Sequence, residues 1–573
     1  MNCKISFLLF LVMRTLQLHG AEVSPSSLEK PAVINEPISK LQIIYLAQSK
    51  HYQKAIALYH QYADQIGKQD FGVLEHLAKA ILENGARSDN EQTQLLSIFS
   101  CSLAGLESPY DILQAGILSR NMQTQLASLQ FMARMQDDQI DSLLNKAMAS
   151  DFLYTRLEAA YILSARKSRA SVGLIEALMH KLPPQMSYFF PELFAMIGTS
   201  EAMNILRHLM DSPFQPTRIE AILSAARHSR DDLLPIIRSC ATHSNAAEQE
   251  ACATALGYLR DSASLKRLKK MTRSSSENVQ LAALRSLYFL GEESAKEPIF
   301  QKGREKNPYA ITILGDIPDS ETILLPLLED TDLSIRFNAA LSLLKRKDPR
   351  SVPYIKEFLI RDSRDLGFQP HSSIGTSLKT WKVISSALQH AKQSSYDVLA
   401  LTTSVREGIL KDCLELPEAS FLKIAQLVID AKQNELIPAL VSLLENQKSK
   451  DGIALLKRKS QTAGAPLIRA YCNLALVRLK EPGPYEKLLE QWIVSRQNQE
   501  LVQFRPSLPW ATRLAESHFE LTPEESSSLL IESYQVLANK HDEKSIAFLL
   551  RALQDGDNKN TPILAGILLK ALQ

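Results

Sequence analysis

The side chains of this 573-residue chain whose type and spacing best suit chemistry are cations. Arg134 comes first, followed by Arg166, Lys167 and Arg169, then Arg227 and Arg230, then Arg260, then Lys345, Arg346, Lys347 and Arg350. Guanidinium and ammonium groups repeated along one edge can hold the carboxylates of an acidic partner, or an anionic polymer, by charge-assisted hydrogen bonds. The competing reading is structural, because a cation in the last turn of a helix meets the macrodipole favourably by about 0.3–1 kcal/mol. Gly291-Glu292-Glu293 interrupts the row.

Other chemistry is sparse. The run Lys266-Arg267-Leu268-Lys269-Lys270-Met271-Thr272-Arg273 reads as the solvent face of a helix that turns Leu265, Leu268 and Met271 inward. No GxxxxGK[ST], GxSxG, HExxH or GxGxxG motif occurs. His51 and His60 do not share a helix face, and His228 and His243 fall in or near turns, so no metal site is expected. The six cysteines, Cys3, Cys101, Cys240, Cys252, Cys413 and Cys472, are far apart and read as buried thiols rather than a disulfide frame or a zinc site. Trp381, Trp492 and Trp510 read as packing plugs. A pocket for an enzymatic alternative would need a polar cluster such as Arg364, Asp365 and His371. The expectation is a non-catalytic chain without cofactor or metal.

The elements that position the cations recur. Gln125, Arg156, Ser187, Arg218, Gln249 and Gln280 lie 31 residues apart, and the register returns at Arg336 after a shortened unit near Asn307. Small residues follow three and four places after the anchor, as in Arg156-Leu157-Glu158-Ala159-Ala160 and Arg336-Phe337-Asn338-Ala339-Ala340, and an apolar residue follows at seven. Those offsets share one helix face. A turn comes next, with Asp231, Asp261 or Asp348 expected to cap a second helix that carries its own apolar stripe. Neither helix can bury its stripe alone, so the pairs must stack.

The Arg or Gln anchor, the Ala-Ala pair and the Leu seven places on resemble HEAT repeats, in particular the short phycobilisome-lyase HEAT-like subclass. The resemblance covers about 115–360 and recurs at Leu467–Leu476. It implies an all-α fold, a right-handed alpha-alpha superhelix of HEAT/ARM type with an extended interaction surface and no universal catalytic residues. Relatives of the lyase subclass attach or isomerise bilins or chaperone them; nothing in this sequence marks a bilin pocket. A HEAT-like iron-dependent hydroxylase uses His-Glu pairs, and no His-Glu dipeptide occurs. His51–Tyr59 is similar to part of a tetratricopeptide unit, so 39–114 reads as an N-terminal helical cap of that type or of HEAT type.

Residues 1–21 read as an export signal: Lys4, the apolar run Ile5–Met13, then Gly20 and Ala21. The Pro- and Ser-rich stretch 22–38 reads as a tether and 361–377 as a loop or hinge, with a second helical array over 378–573 whose last pair caps the solenoid. Removing 1–21 leaves 63 basic and 63 acidic side chains, a balance that disfavours nucleic acid as a partner. No later stretch is apolar enough to span a membrane. The expected protein is an exported, periplasmic or secreted scaffold for another protein, with a lyase-like assembly factor or enzyme and a structural spacer as the alternatives in function, and a cytoplasmic chain whose residues 1–21 form a first helix as the alternative in location.

Overall fold

The computed structural model describes residues 38–106, 109–242, 245–360, 405–496, 525–538, 542–556 and 558–573. The export segment, the tether up to residue 37, and the hinge with Arg364, Asp365 and His371 lie outside them, as do Cys3, His243, Trp381 and Trp510. Among the described residues every regular element is helical.

Three helices open the unit that runs from Lys40 to Gln573: α1 (Lys40–Gln48), α2 (Tyr52–Ile66) and α3 (Phe71–Ala86). Helix pairs follow: α4 (Glu91–Ala104) and α5 (Tyr110–Ile117), α6 (Met122–Met132) and α7 (Gln139–Ala147), α8 (Leu153–Ala165) and α9 (Val172–Lys181). Next come α10 (Phe190–Ile197) and α11 (Ser200–Met210), α12 (Gln215–Arg227) and α13 (Leu234–Cys240), α14 (Ala246–Tyr258) and α15 (Leu265–Met271). The series continues with α16 (Glu277–Phe289) and α17 (Lys296–Arg304), α18 (Pro308–Leu314) and α19 (Glu321–Leu327), α20 (Leu333–Lys345) and α21 (Val352–Ile360).

The first helices begin at residues 91, 122, 153, 215, 246, 277 and 308, all on one 31-residue ruler. The ruler thus starts one unit ahead of the first sequence anchor. Its missing mark, Pro184, opens a 3-10 turn (Pro184–Phe189) that runs directly into α10. Asn90, Asn121, Asn245 and Asn307 sit just before the marks, and each side chain accepts from amides of the first turn. A first helix is buried almost all round: in α14, Ala251 to Gly257 are all buried, along with Glu248 and Glu250.

At the far end of the first helix the chain reverses through a left-handed residue. Lys167, Gly198, Ser229, Arg260 and Gly291 all have positive φ and again lie 31 apart. A short 3-10 turn then leads into the second helix, as at Arg169–Ser171, Ser262–Ser264 and Pro349–Ser351. That turn corrects the expected capping. Asp348 does accept from an amide, that of Arg350 at 2.9 Å, but it caps the 3-10 turn and not the helix itself. Asp231 opens such a turn without a side-chain bond to an amide, and Asp261 binds Arg238 and Ser264.

Small residues do allow close approach. Ser286 Oγ of α16 donates to Ala253 O of α14 at 2.8 Å, and Ser342 Oγ of α20 donates to Ile311 O of α18 at 2.8 Å. Gly257 and Gly315 face these two serines.

Beyond residue 404 the expected helices appear at Glu418–Asp430, Ile437–Gln447, Pro466–Arg478, Tyr485–Ser495, Glu525–Ala538, Glu543–Asp555 and Thr561–Leu572. One more, Lys450–Thr462, was hidden by its charge and by Gly452. It buries Leu455 and Leu456 and pairs the buried Lys459 with Asp430. The last helix is not an exposed cap. Pro562 to Leu569 and Ala571 are buried, and the helix packs against α3 and α4. A terminal cap needs a polar outer face; this helix is apolar on every face from Pro562 to Leu569 and is covered there.

Candidate interaction surface

Four of the anchor side chains, and Arg469 in the later array, share one task, while Ser187 bonds the Thr217 hydroxyl at 2.7 Å instead. Gln125 Nε2 donates to Ser119 O at 2.7 Å, Arg218 Nη1 to Ser212 O at 2.5 Å, and Gln280 Nε2 to Ser274 O at 2.6 Å. Arg336 Nη1 donates to Asp330 O at 2.9 Å, and Arg469 Nη1 to Ala463 O at 2.7 Å. Each acceptor is the carbonyl six residues upstream, at or just past the carboxyl end of the preceding helix, where intrahelical donors run out. An amide or a guanidinium can each reach it, and so the anchor alternates between Gln and Arg. Arg218 also binds the buried Glu248 at 2.5 Å, tying α12 to α14.

A second ladder runs along the second helices. Arg207, Arg238 and Lys269, again 31 apart, pair with Asp232, Asp261 and Glu292 at 3.1, 2.6 and 2.9 Å. Arg238 holds the Asp261 carboxyl below its ordinary pKa, against the opposing effect of burial. Lys266, Lys269, Lys270 and Arg273 are exposed while Leu268 and Met271 are buried, so the basic run is a helix face of the expected kind.

The eleven cations singled out in the sequence separate into three groups. Four turn inward. Arg166 donates to Met135 O at 2.6 Å, Asp137 O at 2.9 Å and Asp141 at 2.6 Å. Arg230 donates to Ala195 O at 2.7 Å and Met196 O at 3.2 Å, sealing the end of α10. Arg346 binds Glu321 at 2.9 Å. Arg227 joins Glu192 and Glu220, and His228 meets Glu192 at 2.9 Å. Burial raises the Glu192 carboxyl's pKa, but His228, Arg227 and Ser224 together outweigh it and leave the group below its ordinary value.

Four more are exposed but paired: Arg169 with Glu201, Lys345 with Asp316, Lys347 with Glu415, and Arg350 with Asp348. Arg134, Lys167 and Arg260 are exposed and form no ion pair among the described residues. The row is therefore not one continuous strip of free charge.

Among the described residues no group of three or more His, Cys, Asp or Glu side chains could hold a metal ion, and no helix is long and apolar enough to cross a membrane. His51 is exposed and precedes α2 without a side-chain capping bond; the ring of His60 lies edge-on to Tyr59. Trp492 packs against the core with Arg496 stacked on it at 5.0 Å. Cys101, Cys240, Cys252, Cys413 and Cys472 are buried free thiols, and burial raises the pKa of each.

No protein-family model matches the sequence, and no curated protein matches it. Solved structures with a similar course include Kap121p bound to Ste12p, at 12% identity, covering 94% of this chain and 66% of that one, with a TM-score of 0.25. They also include the pentatricopeptide repeat protein PPR10 from maize, at 15% identity, 93% and 91% coverage and a TM-score of 0.25. An engineered protein matches at 15% identity, 87% and 98% coverage and a TM-score of 0.18. The chain spans slightly under two-thirds of the Kap121p chain. Its own helix pairs, 31-residue ruler and anchored helix ends give it the all-α architecture of a HEAT-type repeat array.

Proposed function

We propose that this chain is an exported, non-catalytic scaffold that holds another protein by an acidic surface, and that the contact is made through the turns after its first helices. One observation carries the reading. Of the ten non-glycine residues with positive φ among the described residues, eight are Lys or Arg: Lys50, Lys167, Arg260, Lys306, Lys347, Lys432, Lys448 and Lys480. A side chain with a Cβ in that region costs roughly 1–2 kcal/mol, and Gly or Asn would relieve it. Lys167, Arg260, Lys347 and Lys480 stand in the turn after a first helix and are exposed, whereas Lys306 and Lys448 follow second helices.

Charge reversal separates this reading from a purely structural role. The variant Arg134→Glu/Lys167→Glu/Arg260→Glu should keep the circular dichroism of the parent and lose a partner that the parent captures in a salt-sensitive way. A spacer with no preferred surface would give the same captured proteins from both, and that outcome refutes the proposal. Export rests on Lys4, the run Ile5–Met13, and Gly20-Ala21. Amino-terminal sequencing of the chain recovered from cell fractions tests it: an intact Met1 in the cytoplasmic fraction alone would refute export.

A further inference from the structure

We propose that the last helix, Thr561–Leu572, is a latch that closes the array head to tail within one chain, and that Gly566 sets the fit. Three observations converge. First, α4 carries Ser100 six residues after Gln94, the slot that Ser286 fills after Gln280 and Ser342 after Arg336. In α16 and α20 this serine meets a glycine of the preceding repeat, Gly257 or Gly315. In α4 it meets Gly566: a Cβ built there would lie 2.6 Å from Ser100 O and 2.9 Å from Ser100 Cβ. The end of the chain thus occupies the place of a preceding repeat.

Second, both helices of the final pair take part. Thr561–Leu572 packs on α3 and α4, while Glu543–Asp555 packs on α2, where the Glu543 charge helps to raise the pKa of the Tyr59 hydroxyl, after burial and Asp70. Third, Ile563, Leu564, Ile567, Leu568 and Leu569 are all buried, and only Thr561, Lys570 and Leu572 of the helix keep partial exposure. A head-to-tail contact between quasi-equivalent surfaces yields a filament when it fails to close and a finite body when it closes. Here the two surfaces meet inside one chain. With the latch engaged, the end faces of the array are taken, and a partner meets the turns instead.

Cross-linking of the unsubstituted full-length chain with a lysine-reactive reagent tests the closure. Lys54 of α2 and Lys544 of Glu543–Asp555 are both exposed, on two helices that pack against each other. A Lys54–Lys544 link within the monomer is expected; its absence, while links inside α12–α17 form, overturns the proposal. Hydrogen exchange on Gly566→Leu is the second arm, with Gly173→Leu as control because no atom lies within 4 Å of a Cβ at that position. The latch requires loss of protection in Phe71–Ala86 and Glu91–Ala104 together with Thr561–Leu572, while α12–α16 stay protected. Loss confined to Thr561–Leu572 overturns it. Should Gly566→Leu not fold, Gly566→Ala carries the same contact with Ser100 O in milder form, and the cross-link on the parent chain decides alone.

Discussion

Replacing Gly257 by Ala tests the close approach on which the stacking rests. Helix propensity alone favours the change by about 1 kcal/mol. The structure reverses that sign. An added Cβ would sit 2.8 Å from Ser286 Cα, a backbone atom, and would also meet the serine's Cβ and Oγ. The helices α14 and α16 must separate or Ser286 must move. Overpacking of this kind costs about 1–3 kcal/mol. Moving Ser286 also forfeits its bond to Ala253 O, at 2.8 Å in a buried setting, for about 0.5–1.5 kcal/mol. Net destabilisation should be about 1–3 kcal/mol after the propensity gain. Repeat arrays lose two-state behaviour as they lengthen, so a global melting curve would blur the effect. Native-state hydrogen exchange over residues 246–289 reads it locally, as an acceleration of roughly five- to 150-fold. Gly173→Ala is the internal control: its helix is free of neighbours at that point, and the change should stabilise by up to about 1 kcal/mol. Adding Ser286→Ala to Gly257→Ala should restore only part of the loss, because the Cα and Cβ obstacles remain. If Gly257→Ala slows exchange as Gly173→Ala does, the interhelical fit described above is wrong.

Three further perturbations follow from the same contacts. Arg218→Met strands the buried Glu248 and frees Ser212 O, and should cost about 2–4 kcal/mol, with part recovered by adding Glu248→Gln; exchange at the α12–α14 boundary checks it. The five buried thiols should resist a thiol reagent in the folded chain and react on unfolding. Because burial lifts Cys413 and Cys472 from 9.0 to about 12, the folded state keeps protons that the unfolded state gives up. Their contribution to stability is therefore complete below about pH 9 and falls away as pH rises toward 12, which denaturation at graded alkaline pH measures. Arg260→Gly should change stability by less than about 1 kcal/mol, whereas Arg166→Gly should lower it by about 2–3 kcal/mol, as paired chemical denaturations will show.

The stride of the repeat was legible because it lives in residues whose size is constrained. Ala159-Ala160 and Ala339-Ala340 sit where helices touch, and a larger side chain would push the repeats apart. The anchors were visible as positions but not as functions, since a bond to a carbonyl six residues upstream leaves no mark on the acceptor's side chain. Asn90, Asn121, Asn245 and Asn307 were in the sequence on the same ruler and name the helix starts more directly than the anchors do. Lys450–Thr462 escaped because its buried Leu455 and Leu456 are outnumbered by charge. Docking of the last helix was foreshadowed by its composition, apolar on all faces between Pro562 and Leu569, but composition cannot say which surface will cover it.

The cations were hardest to read because two tasks share one turn. Counting from the anchor resolves them. For every anchor but Gln125 the eleventh residue, Lys167, Gly198, Ser229, Arg260, Gly291 or Lys347, has positive φ, as does Lys480 after Arg469. Arg166 and Arg346 stand at the tenth place and Arg230 at the twelfth. From the flanking places the side chain reaches back to the neighbouring repeat: Arg166 and Arg230 seal the carbonyls at a preceding helix end, while Arg346 pairs with Glu321. At the eleventh place Lys167, Arg260 and Lys347 are exposed, while at Gly198 a Cβ would collide with the Arg230 guanidinium. Gly198 and Gly291 show that stability is satisfied there without any side chain. For Arg260, relief of the left-handed strain is opposed by the greater freedom of an unfolded glycine and by a lost cation at a helix end, terms of about 0.5–1 and 0.3–1 kcal/mol. These nearly cancel, so folding alone gives Arg260 little reason to be there. A measured loss well above 1 kcal/mol for Arg260→Gly would return that charge to the helix dipole and leave the partner surface without its support.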